Sequence, residues 1–176
     1  MRTEATAKDK LPVGDIRCFL KCHIPYRLDF LRRATALRSY PGMRDPALVE
    51  AALMAGRQMI LFLGLNKEFK GKAGPFLAKD REYRAIPKND DRCFEVKIVN
   101  LGGDFQDPEG LDTKEQNILA EFVYAADKAS AHLTEASNHK LWDDDGEVFY
   151  KGCVIITRLV EDACKVAESK LPQAPA

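Results

Sequence analysis

The sequence contains no apolar run that approaches the length of about 18 residues required for a transmembrane helix. Its N-terminal stretch, MRTEATAKDKLPVGD, carries charges of both signs and lacks the apolar region of a secretory signal. Internal repeats and low-complexity tracts are also missing, and 176 residues is the usual size of one domain. We therefore expect a single-domain cytoplasmic protein that does not contact a membrane.

Metal-ligating residues are sparse and poorly spaced. The five cysteines cannot all pair within one chain, and a chain without an export signal is expected to keep its thiols reduced. Cys18, Cys22 and His23 could serve as metal ligands, but no second CxxC or HxxxH completes a four-ligand set. The sequence therefore predicts no structural disulfide, no metal and no other cofactor.

The formal net charge is zero, but it is unevenly distributed. The first 100 residues hold 20 Lys and Arg against 12 Asp and Glu, and the remaining residues hold 7 against 15. A basic surface for RNA is one interpretation of this asymmetry. The simpler one is that basic early helices lie against acidic late helices, since overall neutrality removes the long-range attraction that dominates phosphate binding.

Apolar periodicity predicts four long helices. They lie near residues 25–40, 46–65, 113–138 and 147–169. Asp45 followed by Pro46 is typical of the start of the second helix, and Asp112 with Glu115 resembles a capping box at the start of the third. The second helix has almost no polar residue after its start, so we expect it to be central.

Residues 66 to 111 interrupt this helical pattern with glycine, proline and charged residues. Within them Phe94, Val96 and Ile98 alternate with charged residues, which predicts a strand near residues 93–99. The predicted fold is therefore all-α: an up-down four-helix bundle with a long excursion between helices 2 and 3 carrying a short strand or hairpin. It forms one domain over residues 15–170, after a disordered N-terminal tail over residues 1–14.

Arg57 interrupts the apolar run of the second helix, next to Gln58. An unpaired buried guanidinium is costly. Arg57 is therefore expected to reach solvent, to pair with an acid such as Asp127 or Glu121, or to face a cleft that binds an anion. The last of these alternatives would make it a phosphate contact.

His132 lies in the stretch DKASAHLTE, toward the end of the third helix. Helical spacing places Lys128, His132, Glu135 and His139 on one face. A histidine beside a cation can act as a general acid or base, whereas most lone histidines are explained by packing and hydrogen bonding. We rank a structural or surface role for His132 first, a catalytic or RNA-contacting role second, and a metal-ligand role last.

The stretches GRQMILFL and KASAHLT, in the element order that surrounds them, resemble the HEPN-like helical proteins, especially abortive-infection-related bacterial members. The resemblance covers residues 45 to 165 and implies an up-down four-helix fold and a homodimer whose interface forms a cleft. Catalytic members carry an Arg and, after four to six further residues, a His, and they act as metal-independent ribonucleases. His132 matches that His, but Asp127, Ala126 and Ala125 stand where the Arg would be.

Two functions from different classes follow. The first is a non-catalytic HEPN-like helical module that dimerises or binds a protein partner, in a bacterial defence or toxin–antitoxin system. The alternative is a metal-independent ribonuclease, in which His132 handles the proton of a ribose 2′-hydroxyl while Arg57 or Lys128 holds the phosphate. The missing Arg and the balanced charge favour the first, but the sequence leaves open whether the protein is an enzyme.

Overall fold

The computed structural model describes residues 11–39, 45–69, 75–79, 96–131 and 147–172. Most residues in these ranges are helical, and a two-stranded antiparallel sheet is the other regular element. The prediction of a mainly helical fold is therefore confirmed, with a small sheet added. Within the same ranges, no helix combines the length and the apolar character that crossing a bilayer would require.

The first helical segment begins earlier than predicted. Helix α1 (Val13–Cys18) continues through a π-helical turn (Phe19–His23) into α2 (Ile24–Ala36), and a 3-10 turn (Leu37–Ser39) follows. Pro25 is the second residue of α2, in the first turn after the hydrogen-bond register changes, so its missing N–H does not end the helix. Helical structure thus starts inside the segment predicted as a tail, whose residues up to 10 lie outside the described ranges.

Helix α3 (Pro46–Phe62) starts where its sequence predicts. The Asp45 Oδ1 atom accepts hydrogen bonds from the backbone N–H groups of Ala47 and Leu48, at 3.1 and 3.2 Å. The helix ends three residues before the predicted position 65, because Gly64 adopts a left-handed backbone conformation (φ 77°) and turns the chain into a strand. The ring of Phe105 fills the space that a Cβ atom on Gly64 would need.

The excursion after α3 carries a hairpin, but not at the predicted place. Strands β1 (Leu65–Phe69) and β2 (Pro75–Lys79) pair antiparallel, with Leu65 opposite Lys79. The strand predicted near residues 93–99 is wrong in its described part, because Ile98–Leu101 form a 3-10 turn. There the Asn100 side chain accepts a hydrogen bond from the Lys97 backbone N–H at 2.8 Å, which closes the turn. Residues 93–95 lie outside the described ranges.

Helices α4 (Thr113–Ala131) and α5 (Glu147–Ser169) begin at the predicted residues. The Asp112 side chain accepts a hydrogen bond from the Glu115 backbone N–H at 2.8 Å, so Asp112 caps α4 as predicted, but the Glu115 carboxylate binds Arg158 and does not complete a capping box. Helix α5 also ends where predicted, whereas residues 132–138 of the third predicted helix lie outside the described part of the chain.

Side-chain contacts give the relative directions of three helices. Glu115 near the start of α4 binds Arg158 in the second half of α5, whereas Phe122 later in α4 stacks on Phe149 near the start of α5. Helices α4 and α5 therefore run in opposite directions. Helices α2 and α5 do the same, because Arg32 binds Glu161 whereas Arg38 lies over Tyr150. Helix α3 packs against α2, α4 and α5.

The phenyl ring of Phe122 occupies the centre of the core, between two glycines. A Cβ atom on Gly56 of α3 would lie 2.5 Å from the Phe122 Cε1 atom, and one on Gly152 of α5 would lie 2.4 Å from its Cδ2 atom. Phe122 is fully buried and stacks on Phe149 at a ring-centroid distance of 6.1 Å. Both glycines are therefore packing requirements of α4, although glycine inside a helix is intrinsically unfavourable.

We expect Gly152→Ala to lower the free energy of unfolding by about 1–3 kcal/mol, because the added methyl group overpacks the Phe122 ring. Urea denaturation followed by circular dichroism measures the change. The matched control is Gly14→Ala, also in a helix, where an added Cβ atom meets nothing within 4 Å. The control should leave stability unchanged or raise it by up to about 1 kcal/mol. An equal effect of both substitutions would contradict this account of the core.

Candidate functional site

Arg57 lies next to the face of α3 that packs against α4. Its neighbour Gly56 is buried against Phe122, whereas the Arg57 side chain remains 37% exposed. The Nε atom donates a hydrogen bond to Asp127 Oδ1. The interpretation that Arg57 pairs with an acid such as Asp127 is therefore confirmed, and the pairing gives a partly exposed charge on an otherwise apolar helix a partner.

Lys67 of β1 completes what we call the charged cluster, formed by Arg57, Lys67 and Asp127. Its Nζ atom donates to Asp127 Oδ2 and lies 5.6 Å from the centroid of the Tyr124 ring. The Lys67 side chain is only 13% exposed. Both carboxylate oxygens of Asp127 thus bind a cation, and a single side chain of α4 ties together α3, β1 and α4.

Two opposing effects act on the pKa of the Asp127 carboxyl. Partial burial raises this pKa, but hydrogen bonds and charge from Lys67 and Arg57 lower it more, so it lies below the ordinary value for aspartate. Asp127 is therefore ionised at neutral pH. The charged cluster holds two cations and one carboxylate, which leaves it one positive charge.

The other two predicted site residues cannot be placed beside Arg57. Lys128 belongs to α4, but its side chain lies outside the described part of the structure, as does the whole of His132. Their approach to Arg57 stays a prediction. The structure instead joins Arg57 to Asp127, one of the positions where the HEPN motif would carry its Arg. The sequence did not indicate Lys67 as a site residue, because no local pattern links it to Asp127.

A second feature is the surface groove between α2, α4 and α5, which we call the α2–α4–α5 groove. It encloses about 380 Å³. The residues that line it are Thr35, Arg38, Lys114, Glu115, Ile118, Tyr150, Lys151, Val154 and Ile155. Three of its side chains are cationic and one is acidic, around a floor of aliphatic side chains and the Tyr150 ring. The size falls in the range of sites that bind a small molecule or a single anchoring side chain.

Within the described ranges, no three or more His, Cys, Asp or Glu side chains come together as a metal site. Cys18 and Cys22 are exposed free thiols, and Cys153 is a buried one. Burial raises the pKa of the partly buried Cys164 thiol to about 12, so it stays protonated and a poor nucleophile.

Comparison with protein families, with characterised proteins and with solved structures finds no match to this chain. The HEPN-like resemblance therefore stays a prediction.

Asp127→Asn should destabilise the protein at pH 7 by about 1–2 kcal/mol, because it removes a charged partner from two cations. Since the folded pKa of Asp127 is lowered, its contribution is complete above the ordinary aspartate pKa of about 3.9 and is lost as pH falls through the folded value. Wild type and Asp127→Asn should therefore converge in stability in strong acid. Thermal unfolding followed between pH 7 and acid pH measures this convergence.

The matched control for Asp127→Asn is Glu121→Gln, on the same helix. Glu121 forms no ion pair with any residue in the described ranges. Glu121→Gln should change the midpoint of unfolding little at any pH. A difference between wild type and Asp127→Asn that stayed constant from neutral to acid pH would contradict the electrostatic role of Asp127.

Proposed function

We propose that this protein is a non-catalytic HEPN-like helical module, with its four long helices in an up-down arrangement, that dimerises or binds a protein partner. On this proposal it is one component of a bacterial defence or toxin–antitoxin system. The opposite directions of α4 and α5, and of α2 and α5, support the up-down arrangement.

One observation carries the non-catalytic part of the proposal: Asp127 binds both Arg57 and Lys67. A metal-independent ribonuclease needs a cation that holds the phosphate and stabilises the developing charge of the transition state. The carboxylate of Asp127 competes with phosphate for Arg57, one of the two cations that the ribonuclease alternative assigns to this role. The same carboxylate stands where the family motif would place an Arg.

The charge distribution supports binding of protein rather than RNA. Arg32, Arg57 and Lys67, all in the basic first part of the chain, pair with Glu161 and Asp127 of the acidic second part. Basic early elements thus lie against acidic late helices, as the simpler interpretation of the sequence predicts. Each of these cations binds a carboxylate of the same chain, and a backbone phosphate would have to compete with that carboxylate.

Single-stranded RNA incubated with the wild-type protein in the presence of a metal chelator should not be cleaved, because Asp127 binds Arg57, one of the two cations that the ribonuclease alternative assigns to the phosphate. Gel analysis of labelled RNA tests this, with His132→Ala and His23→Ala measured beside wild type. Cleavage that His132→Ala abolishes at an unchanged melting temperature, and that His23→Ala retains, would refute the proposal and establish the ribonuclease.

A homodimer is the assembly that the family resemblance implies, and a two-fold interface is the commonest form of self-association. We expect light scattering to give twice the chain mass in the micromolar range. High salt should weaken any part of the interface that depends on exposed charge. A mass equal to one chain throughout the micromolar range at low salt would remove dimerisation from the proposal and leave a separate partner.

A further inference from the structure

We infer that the α2–α4–α5 groove docks an acidic segment of a protein partner that carries a large apolar side chain. This inference rests on the proposed function, since it names the partner of a binding module. It concerns a different part of the molecule from the charged cluster.

The floor of the groove is apolar and open to solvent. Val154, in the middle of α5, is 52% exposed. Ile118 of α4, the buried Ile155 and Tyr150 line the groove together with Val154. Burying the exposed surface of Val154 and Ile118 against an incoming apolar side chain would remove apolar area from water, which favours binding.

Charged side chains surround this floor. Glu115 already binds Arg158 at 2.6 Å, and Lys151 pairs with Glu147 one turn earlier in α5. Arg38 and Lys114 form no ion pair with any carboxylate in the described ranges. Arg38 is exposed in the 3-10 turn that follows α2, with its guanidinium carbon 5.9 Å from the Tyr150 ring centroid, and Lys114 is exposed in the first turn of α4.

The lining therefore carries three cations against one carboxylate, and its two cations without an ion pair come from different elements, the 3-10 turn after α2 and helix α4. Charge complementarity favours a partner with carboxylates on both sides of an apolar side chain. A nucleic acid fits less well, because its phosphates would leave the aliphatic floor without a matching group. An amphipathic helix laid in a groove is a common way for protein segments to present this chemistry.

The test uses a fluorescein-labelled helical peptide with Leu residues one turn apart flanked by Glu, and a second peptide with Lys in place of each Glu. Fluorescence anisotropy with the full-length protein should show micromolar binding of the Glu peptide and at least tenfold weaker binding of the Lys peptide. Increasing salt should weaken binding of the Glu peptide, because exposed charges contribute to that binding.

Three variants locate the binding site. Val154→Asp should weaken binding of the Glu peptide by at least tenfold, since it places a carboxylate in the apolar floor. The double variant Arg38→Ala, Lys114→Ala should weaken binding of the Glu peptide by about 3- to 10-fold, as expected for partly exposed charge pairs. The matched control, Val166→Asp, changes the other exposed valine of α5, which is 45% exposed and does not line the groove. It should change affinity less than twofold.

Several results would overturn the inference. One is failure of the Glu peptide to bind, and another is equal binding of both peptides, in which case charge would not select the occupant. Equal loss of affinity in Val154→Asp and Val166→Asp would place the binding site outside the groove. Displacement of the Glu peptide by single-stranded RNA at lower concentration than by unlabelled peptide would favour a nucleic acid. Conversion of a dimer to a monomer by Val154→Asp, without peptide binding to either form, would instead assign the groove to a second copy of the chain. Melting temperatures of all variants verify that they are folded.

This experiment and the ribonuclease assay fail independently. RNA cleavage that depends on His132 would refute the non-catalytic proposal whatever the peptide does. Absence of peptide binding, with no RNA cleavage, would reject the acidic segment as the occupant of the groove and leave the non-catalytic proposal in place.

Discussion

The burial of one phenyl ring sets the distances between three helices. Phe122 of α4 lies against Gly56 of α3 and Gly152 of α5, at separations that leave no room for a Cβ atom on either glycine. Because protein cores are close-packed, this contact determines how near the backbones of α3 and α5 can come to α4. Arg57 follows Gly56 directly, and Asp127 lies on the same helix as Phe122. The geometry of the charged cluster therefore depends on the packing of the ring.

Features set by local chemistry were predictable from the sequence. Asp45 and Asp112 cap their helices, as short polar side chains before apolar periodic segments usually do. An arginine in an otherwise apolar helix was expected to reach solvent, an acid or an anion-binding cleft, and Asp127 was one of the two acids that the sequence suggested. These inferences succeeded because each depends on a few neighbouring residues or on a single large energetic cost.

Features set by tertiary contacts were not predictable. Strand β1 reads LNKEF, which does not alternate, and its pairing with β2 is supported by packing of both strands on α4. The segment before Gly102 does alternate, but Asn100 satisfies the backbone locally and its neighbours are all buried. The groove is formed by three helices that are far apart in sequence, so no pattern along the chain indicates it. Lys67 likewise reaches the charged cluster through a contact between residues that are far apart in sequence, so no pattern along the chain indicates it.

The ion pair between Lys67 and Asp127 has a consequence for local unfolding. An isolated two-stranded hairpin is at best marginally stable in water. Here β1 is joined to α3 by a tight turn at Gly64 and is bound to α4 through Lys67, and both strands pack on α4. The amide hydrogens of the hairpin can then exchange with solvent mainly when the strands separate from α4. The hairpin and the second half of α4 should belong to one cooperative unit, rather than the hairpin fraying by itself.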